Sequence, residues 1–382
     1  MDPSTLAGWV ENARKRSLTL VADLDDAQLI GPRLATVNPL LWELGHIAWF
    51  QEKWVLRHAC GLAPIRPDGD ALWDSIAIAH DLRWDLPLPS RSDTLGYVAT
   101  VGDRVLDLLG GRQPTRGLLY FILYSVFHED MHDEAFVCTR QTLAYPPPPV
   151  KMQRQLSESA PKHGVQGDAT MPTQRFMLGA NGSEEFVFDN EKWGHEVLLP
   201  AFAIARAAVS EAEFAAFVDD GGYRQRRLWS PDGWSWRESA AAENPVYWKS
   251  EPGRGWLVRR FDQWTQLDPS KPIIHVNWHE AQAYCRWAGR RLPGEAEWEA
   301  AAAAGLLDGG KVWEWTASDF GPYPGFIPDP YKEYSVPWFL GHKVLRGGCW
   351  ATRSRLLRNT LRNYYTPDRR DVMAGFRTVA TG

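Results

Sequence analysis

The sequence contains little cysteine and no long apolar run. Its 382 residues include four cysteines, none of which form a CxxC pair: Cys60, Cys138, Cys285 and Cys349. This spacing argues against a disulfide framework and against a cysteine-based zinc site. No stretch reaches the roughly 18 uncharged apolar residues that a membrane-spanning helix needs, and the first four residues do not resemble a secretory signal. We therefore expect a cytoplasmic protein with no membrane partner.

An excess of positive charge is also missing. The formal net charge of −5 argues against a generic nucleic-acid or anionic-membrane binder. What is abundant is tryptophan, with 20 residues beside 32 glycines and 27 prolines. This aromatic content excludes global disorder, and the absence of heptads and Gly-X-Y repeats excludes a coiled coil and collagen. At roughly 150 residues per domain, the length predicts two or three domains.

The first 145 residues predict four helices. The first follows Ser4, the second begins at Asn38-Pro39, and the third and fourth cover about 92–109 and 115–143. Because the second and fourth look amphipathic, we predict an all-α four-helix bundle over 1–145. Residues 146–173 are rich in proline, serine and lysine, which is typical of a semi-rigid linker.

Residues 174–382 have a different character. Fourteen of the 20 tryptophans lie after residue 190, and glycine and proline become frequent. Short strands are predicted at 186–188 and 196–199, and helices after Ser210 and at 280–289 and 295–304. This pattern predicts an α+β domain of low regular content, in which buried tryptophans order long loops. Nine basic residues but only two acidic ones lie between 343 and 377, and we expect most of them to form a solvated basic face.

Three histidines of the bundle form a candidate metal site. His128 and His132 are four residues apart, so a helix places both imidazoles on one face, together with Phe121. His46 lies on another helix, on the same stripe as Trp42, and also points inward. Because bundle cores commonly hold metals, we predict that the three histidines bind one cation and leave open positions on it. Imidazole ligands alone suit Fe, Zn, Cu or Ni.

Glu134, two residues after His132, is a candidate to orient one of these imidazoles, with a solvated surface acid as the alternative. The remaining histidines lack such partners and are interpreted as ordinary core or surface residues: His58, His80, His163, His195, His275, His279 and His342.

Four motifs of the second region occur together in a recognisable order. They are PIIHVNWHE at 272–280, RRLPGEAEWE at 290–299, VWEWT at 312–316 and VLRGGCW at 344–350. In this order they resemble the formylglycine-generating-enzyme (sulfatase-modifying factor) fold, which is C-type-lectin-like. That family's oxidase activity uses two cysteines after the last motif. Thr352 and Leu357 stand at those positions and Cys349 at neither, so the resemblance implies the fold and not the formylglycine chemistry.

The whole chain resembles the iron-dependent sulfoxide synthases of ergothioneine and ovothiol biosynthesis and their relative, selenoneine synthase. In that family a DinB-like bundle precedes the formylglycine-generating-enzyme-like domain, and three histidines hold non-haem Fe(II). They match His46, His128 and His132. The resemblance implies an oxidoreductase that uses O₂. Its acceptor substrate would be hercynine, the trimethylated betaine of histidine, whose imidazole carbon receives the chalcogen.

Residues 362–370, RNYYTPDRR, resemble the substrate-binding segment of this family. An Asn-aromatic pair that contacts hercynine maps to Asn363 and Tyr364. Enzymes that use glutamylcysteine follow with an Asp and, four residues on, an Arg; here Tyr365 replaces the Asp, and Arg369 matches. A tyrosine cannot pair with an α-ammonium group as a carboxylate does, so it suits a neutral donor such as a sugar.

Leu-Trp-Glu-Leu-Gly-His at 41–46 also differs from the Trp-His-Leu-x-His of typical ergothioneine enzymes. We therefore favour selenoneine biosynthesis, in which hercynine and a selenosugar form a carbon–selenium bond. The alternative donors are cysteine and glutamylcysteine. Two other function classes stay open, a zinc-dependent DinB-type thiol transferase and a non-catalytic binding module. Some family members use a catalytic tyrosine, for which Tyr323, Tyr331 and Tyr334 are the candidates.

Overall fold

The computed structural model describes residues 1–110, 113–149, 167–309 and 312–381. The chain divides into two compact units, Met1–Met152 and Gln153–Gly382. Much of the predicted linker, residues 150–166, lies outside the described residues. Its last part differs from the prediction, because Asp168–Met171 form a strand that pairs with Phe202–Ala205.

The first unit is helical. Its helices are α1 Pro3–Val21, α2 Asp26–Ile30, α3 Leu40–Gln51, α4 Gly69–Trp73, α5 Arg91–Leu109 and α6 Arg116–Thr142, with a π-helix at Glu52–Ala59 and a 3₁₀-helix at His80–Trp84. The four long segments α1, α3, α5 and α6 pack together as the predicted bundle. No helix in the described part of the chain is both long enough and apolar enough to cross a bilayer.

Side-chain caps begin the helices α1, α2, α5 and α6. Ser90 and Thr115 accept hydrogen bonds from the backbone N–H groups of Asp93 and Leu118, as Ser and Thr do at helix starts. At α1 the cap is Asp2 and not Ser4, since the Asp2 carboxylate accepts from the Thr5 N–H at 2.9 Å. Pro3 then takes the first helical position, where its missing N–H costs nothing.

Helix α3 differs from the amphipathic helix that we predicted. All twelve of its residues are buried, including Glu43 and His46. Helices α2, α4, α5 and α6 all contact it, so it has no solvent face, and a helix that is apolar on every side is a buried helix. The candidate ligand His46 is therefore carried on a fully buried helix of the bundle.

The second unit has little regular structure. Its helices are α7 Glu211–Asp219, α8 Pro231–Ser239, α9 Trp278–Trp287 and α10 Glu295–Ala303. Its strands are β1 Asp168–Met171, β2 Gln174–Leu178, β3 His195–Leu199, β4 Phe202–Ala205, β5 Trp248–Glu251, β6 Gly255–Arg260, β7 Gln263–Gln266, β8 Arg290–Arg291, β9 Trp313–Asp319, β10 Lys343–Arg346, β11 Asn363–Tyr365, β12 Ala374–Gly375 and β13 Val379–Ala380. Six short 3₁₀-helices join them: Asp189–Glu191, Gly222–Arg224, Arg226–Leu228, Lys332–Tyr334, Val336–Trp338 and Ser354–Leu356.

Two four-stranded sheets organise this unit. One has the order β1-β4-β13-β8 with antiparallel neighbours, and α10 packs near its apolar cluster around Ile204 and Val379. The other has the order β11-β10-β9-β12, in which only the β9–β12 pair is parallel. The β2–β3 hairpin and the β5-β6-β7 meander complete the strands. Strand β11, which carries the predicted substrate segment, therefore lies at a sheet edge.

One predicted strand is wrong. Residues 186–188 form an irregular segment that leads into the 3₁₀-helix Asp189–Glu191. All three side chains are buried, whereas a strand with one solvent-facing side would alternate between buried and exposed residues. The apolar run anchors a loop instead of joining a sheet.

Buried tryptophans order the loops, as the sequence predicts. The indole N–H groups of the buried Trp229 and Trp315 and of the partly buried Trp278 each donate to a backbone carbonyl, at 2.9 Å in all three cases. Trp278 and Trp315 reach residues 38 and 39 positions away, and Trp229 reaches Gly222, seven residues away. These indole groups thus link loops to other segments of the unit.

The prediction of a solvated basic face at 343–377 is wrong. Arg346, Arg362 and Arg377 are at most 1% exposed, and none of the nine basic residues is in the exposed class. Arg346 and Arg362 both donate to the Glu295 carboxylate, at 2.8 and 3.0 Å. The arginines are therefore core residues whose charges are paired, which buried charges require.

Replacing Glu295 with Gln should destabilise the second unit strongly, because Arg346 and Arg362 would keep buried charges without their shared carboxylate. We expect a loss of about 3–5 kcal/mol in the free energy of unfolding, measured by urea denaturation of the full chain. Glu251→Gln is the control, since Glu251 pairs with Arg254 at the surface and should cost about 1 kcal/mol or less. Equal losses in the two variants would contradict the assignment.

Candidate metal centre

The three histidines predicted to bind a metal lie together inside the bundle. His46 comes from α3, and His128 and His132 come from successive turns of α6. One ring nitrogen of each lies within 4.8 Å of the others. His46 and His128 are 2% and 6% exposed, and His132 is partly buried. The spacing brings three imidazole donors to one point without any Cys or carboxylate in the group.

The ring of His46 is fixed on both sides and at one nitrogen. Trp42 stacks on it with ring centres 4.8 Å apart and planes 10° from parallel, and Trp49 stacks at 5.7 Å. Its Nδ1 lies 2.8 Å from the carbonyl oxygen of Trp73. Because a carbonyl only accepts, Nδ1 carries the proton and donates it, and the lone pair is on Nε2. His46 is therefore oriented to bind a metal through Nε2.

His128 and His132 are oriented by packing more than by hydrogen bonds. Phe50 lies flat on His128, with ring centres 3.7 Å apart and planes 7° from parallel. In the described part of the chain, the Nδ1 atoms of His128 and His132 are buried without a hydrogen-bond partner. Glu43 Oε1 lies 3.5 Å from the Nδ1 of His132. The Glu43 carboxylate is thus beside a candidate ligand ring, and the orienting role predicted for Glu134 stays a prediction.

Burial lowers the pKa of His46 and of His128 well below the usual value for histidine. The neighbouring His132 lowers both further, because adjacent imidazolium charges repel. Both rings are consequently neutral at neutral pH, which is the form that binds metal ions. Three converging imidazoles in an aromatic pocket, two of them held neutral by burial, fit a divalent transition metal such as Fe, Zn, Cu or Ni.

The predicted substrate segment forms strand β11. Tyr364 is paired with Val344 of β10, and side-chain alternation puts Asn363 and Tyr365 on one face and Tyr364 on the other. The Tyr364 ring stacks on Phe320 at 3.9 Å, and its hydroxyl donates to the Tyr334 carbonyl. Burial raises the pKa of the Tyr364 hydroxyl. Tyr364 is a rigid, neutral aromatic group.

Tyr365 and Arg369 lie next to each other. The Arg369 guanidinium is 5.0 Å from the centre of the Tyr365 ring. Its Nε and Nη2 both donate to the Asp371 carboxylate, at 2.6 Å each. The arginine that would grip an anionic second substrate is thus already engaged by an acid of its own chain.

The three candidate tyrosines all belong to the second unit. The Tyr323 hydroxyl accepts from Arg346 at 3.0 Å and donates to Glu295 at 3.3 Å, so it is part of the buried ion network. Tyr334 stacks on Phe188 at 4.6 Å. Tyr331 precedes the 3₁₀-helix Lys332–Tyr334 and is partly buried. Burial raises the pKa of both Tyr323 and Tyr334, and a catalytic role for any of the three stays a prediction.

Comparisons with known proteins match both units. The DinB superfamily model matches residues 10–135, and the sulfatase-modifying factor enzyme 1-like domain matches 153–309 and 305–381. The hercynine oxygenase of Mycolicibacterium smegmatis is 35% identical over 98% of each chain, and that of Mycolicibacterium thermoresistibile is 36% identical over 97% of this chain and 94% of its own. The chain belongs to the hercynine oxygenase family. It is an oxidoreductase, and the predicted fold class is confirmed.

The second unit of this hercynine oxygenase family member is also similar to a formylglycine-generating enzyme. The enzyme of Thermomonospora curvata is 35% identical over 40% of this chain and 54% of its own length. In the present chain Thr352 and Leu357 stand where we align that family's cysteines, and the Thr352 hydroxyl accepts from the buried Cys349 N–H at 2.9 Å. All four cysteines are free thiols.

Two groups that lie beside the three histidines were not predicted from the sequence. Glu43 lies three residues before His46, and an acid inside an otherwise apolar helix was a signal for it. The Trp73 carbonyl left no such signal, because any residue has a carbonyl and the contact spans 27 positions. Trp73 approaches α3 where Gly45 leaves room, since a Cβ on Gly45 would lie 2.1 Å from the indole ring.

Replacing Gly45 with Ala should weaken metal binding by this hercynine oxygenase family member. The added methyl group forces Trp73 outward, and the acceptor of the His46 proton moves with it. We expect a 10- to 100-fold higher dissociation constant for Co(II), about the cost of losing an outer hydrogen-bond partner, measured by chelator competition.

Gly96→Ala is the control for that variant. Gly96 lies in helix α5 and nothing approaches its position within 4 Å, so alanine should stabilise the helix by up to about 1 kcal/mol and leave metal binding unchanged. Adding Trp73→Phe to Gly45→Ala should restore part of the affinity. Unchanged affinity in Gly45→Ala would contradict the role given to Trp73.

Proposed function

We propose that this chain is a selenoneine synthase: with Fe(II) held by His46, His128 and His132 and with O₂ as co-substrate, it joins the imidazole carbon of hercynine to the selenium of a selenosugar. Two findings support the hercynine half of this proposal, namely the full-length similarity to proteins named hercynine oxygenase and the cluster of three imidazoles. His46 would hold the iron through Nε2, as its tautomer requires.

The proposed reaction balances with O₂ as the sole oxidant. The imidazole C–H bond and the Se–H bond of the donor break, and a C–Se bond forms. One oxygen atom becomes the oxygen of a selenoxide, and the other leaves as water with the two hydrogens. O₂ accepts four electrons, two from forming the C–Se bond and two from oxidising selenium. Activation of O₂ is the chemistry that bound Fe(II) would supply.

The protein's own groups have separate tasks in this proposal. Trp42 and Phe50 cover the imidazoles and keep water away, and neutral ligands add no charge to the metal. The trimethylammonium group of hercynine has no hydrogen-bond donor, so an aromatic surface suits it, and we assign Tyr364 to this contact. The side-chain Oδ1 of Asn363 accepts from the Tyr364 backbone N–H at 2.8 Å, and we assign the NH₂ group of Asn363 as a donor to hercynine.

The selenosugar assignment depends on one observation, the state of the Tyr365–Arg369 pair. Glutamylcysteine carries an α-ammonium and two carboxylates, which need an acid and a free arginine. Here the acid is replaced by Tyr365, and Arg369 is bound to Asp371 through two hydrogen bonds. A tyrosine ring beside a neutralised arginine offers stacking and hydroxyl contacts, which suit a sugar.

A sulfur donor in the same site is the second candidate. The similarity to hercynine oxygenases extends over almost the whole chain and is not confined to one unit. Cysteine and glutamylcysteine would follow the same balance, with a sulfoxide as the product.

Anaerobic loading with Fe(II), followed by hercynine, O₂ and competing donors, tests the proposal. Selenoglucose, cysteine and glutamylcysteine are supplied together, and mass spectrometry identifies the products. We expect the selenium conjugate of hercynine as the main product, with uptake of one O₂ per product. A cysteine-conjugate sulfoxide as the main product would overturn the selenium assignment. Finding zinc as the bound metal, with no O₂ uptake in the presence of any donor, would overturn the oxygenase assignment.

Replacing Tyr365 with Asp should shift donor preference toward glutamylcysteine. The new carboxylate pairs with the donor's α-ammonium and competes with Asp371 for Arg369. A charged hydrogen bond contributes about 1.5–3 kcal/mol, so we expect the ratio of kcat/KM for glutamylcysteine to that for selenoglucose to rise at least about tenfold. Tyr365→Phe is the control, which removes the hydroxyl without adding charge. An equal change in both variants would refute the charge argument.

A further inference from the structure

Glu43 has no part in the function proposed above, although it lies beside the metal centre. It is 2% exposed on α3, and its Oε1 lies 3.5 Å from Nδ1 of His132. We infer that Glu43 is a positioning residue, which orients the His132 ring and places a fixed negative charge next to the bound metal. This inference rests on the proposed metal centre and names a further part of it.

Glu43 is itself held in place by a chain of polar contacts. Asn38 donates from Nδ2 to Glu43 Oε1 at 2.8 Å. Arg83 in turn donates to Asn38 Oδ1 at 2.6 Å, and its guanidinium lies 4.1 Å from the centre of the Trp42 ring. Trp42 is the indole that stacks on His46. These contacts restrict rotation of the Glu43 carboxylate. Through Asn38 and Arg83 they link it to Trp42, the ring that stacks on His46.

Two buried polar atoms beside the metal centre could satisfy each other, one as a hydrogen-bond acceptor and the other as a donor. Glu43 Oε2 and His132 Nδ1 both have no partner within the described ranges. A carboxylate oxygen accepts hydrogen bonds, and leaving a buried acceptor without a donor is destabilising. A small rotation of His132 would bring Nδ1–H within hydrogen-bond distance of Glu43. The rotation requires the proton on Nδ1, and this leaves Nε2 as the metal ligand.

In this arrangement the Glu43 carboxylate would accept the Nδ1 proton of His132, whereas His46 has a neutral acceptor. The Nδ1–H of His46 donates to a neutral carbonyl, the Trp73 oxygen. A hydrogen bond to a carboxylate withdraws the proton more strongly, which makes the opposite nitrogen a stronger donor to a metal. The negative charge also favours the higher oxidation state of the metal in a medium of low dielectric. Glu43 should therefore strengthen metal binding and lower the reduction potential.

The test is Glu43→Gln in the full chain, which keeps the shape and removes the charge. We expect the dissociation constants for Fe(II) and Co(II), measured by chelator competition, to rise about tenfold or more. The reduction potential of the bound iron should rise, and the visible spectrum of bound Co(II) should shift. A purely structural role of Glu43 would change thermal stability without moving the potential or the spectrum.

Two further variants make the result specific. Glu52→Gln alters another buried glutamate of the same helical run, whose oxygens accept from Tyr97 and Ile65, and it should leave metal affinity and potential unchanged. Asn38→Ala loosens Glu43 without removing its charge and should weaken Co(II) binding in the same direction by a smaller factor.

Three outcomes would overturn the inference. Equal affinity, potential and spectrum in Glu43→Gln and the unaltered chain would refute the role of Glu43 and leave the metal centre intact. A larger effect of Glu134→Gln than of Glu43→Gln would assign the role to Glu134. Absence of metal binding by the unaltered chain would refute both this inference and the proposed function.

Discussion

Burial of three adjacent imidazoles imposes a condition on every group around them. Each ring must remain neutral and must keep one nitrogen free. The structure meets this condition for His46 with the Trp73 carbonyl and two stacked indoles, and for His128 with the flat face of Phe50. Helix α3 has no solvent face because four other helices enclose it. Its glycine at position 45 is explained by the same demand, since the carbonyl can reach His46 only if the Trp73 indole lies against the helix backbone.

The second unit solves the problem of buried polar groups in a different way. Its core contains full charges, and each guanidinium of the buried pair Arg346 and Arg362 shares the carboxylate of Glu295. The planar guanidinium presents several donors in a fixed geometry, so a single arginine can tie together segments that are distant in sequence. Arg362, for example, also donates to the carbonyls of Asn190 and Gly321. A domain with short strands and long loops is held together by such side chains.

The parts of this structure that follow local rules could be predicted from sequence. The i,i+4 spacing of His128 and His132, the helix start at Thr115 and the loop-ordering role of tryptophan are of this kind. The errors arise where long-range packing decides. Apolar residues at 186–188 suit a strand as well as a buried loop, and charges at 343–377 suit a solvated face as well as a paired core. For the charges, the position of Glu295 decides between the two alternatives. For residues 186–188, the positions of the neighbouring segments decide.

The same limit applies to the candidate site. Motif spacing identified the three histidines, because helical geometry relates two of them directly. It assigned the orienting carboxylate to Glu134, which is near in sequence, whereas Glu43 lies near in space. The pairing of Arg369 with Asp371 was also missed, although the two are only two residues apart, since nothing in their spacing shows that the guanidinium turns toward that acid. Sequence patterns therefore predict which histidines come together better than they predict the polar groups around them.

The edge position of strand β11 has a consequence for how such enzymes diversify. A substitution in α3 meets packed side chains on every side, so the metal centre tolerates little change. Asn363, Tyr364 and Tyr365 are half-buried on a three-residue strand that is paired along one side only. If β11 contacts the substrate as proposed, single exchanges at Asn363 or Tyr365 would alter the chemistry offered to it at small cost to stability. Within one fold, the choice of substrate can therefore evolve quickly while the metal ligands stay the same.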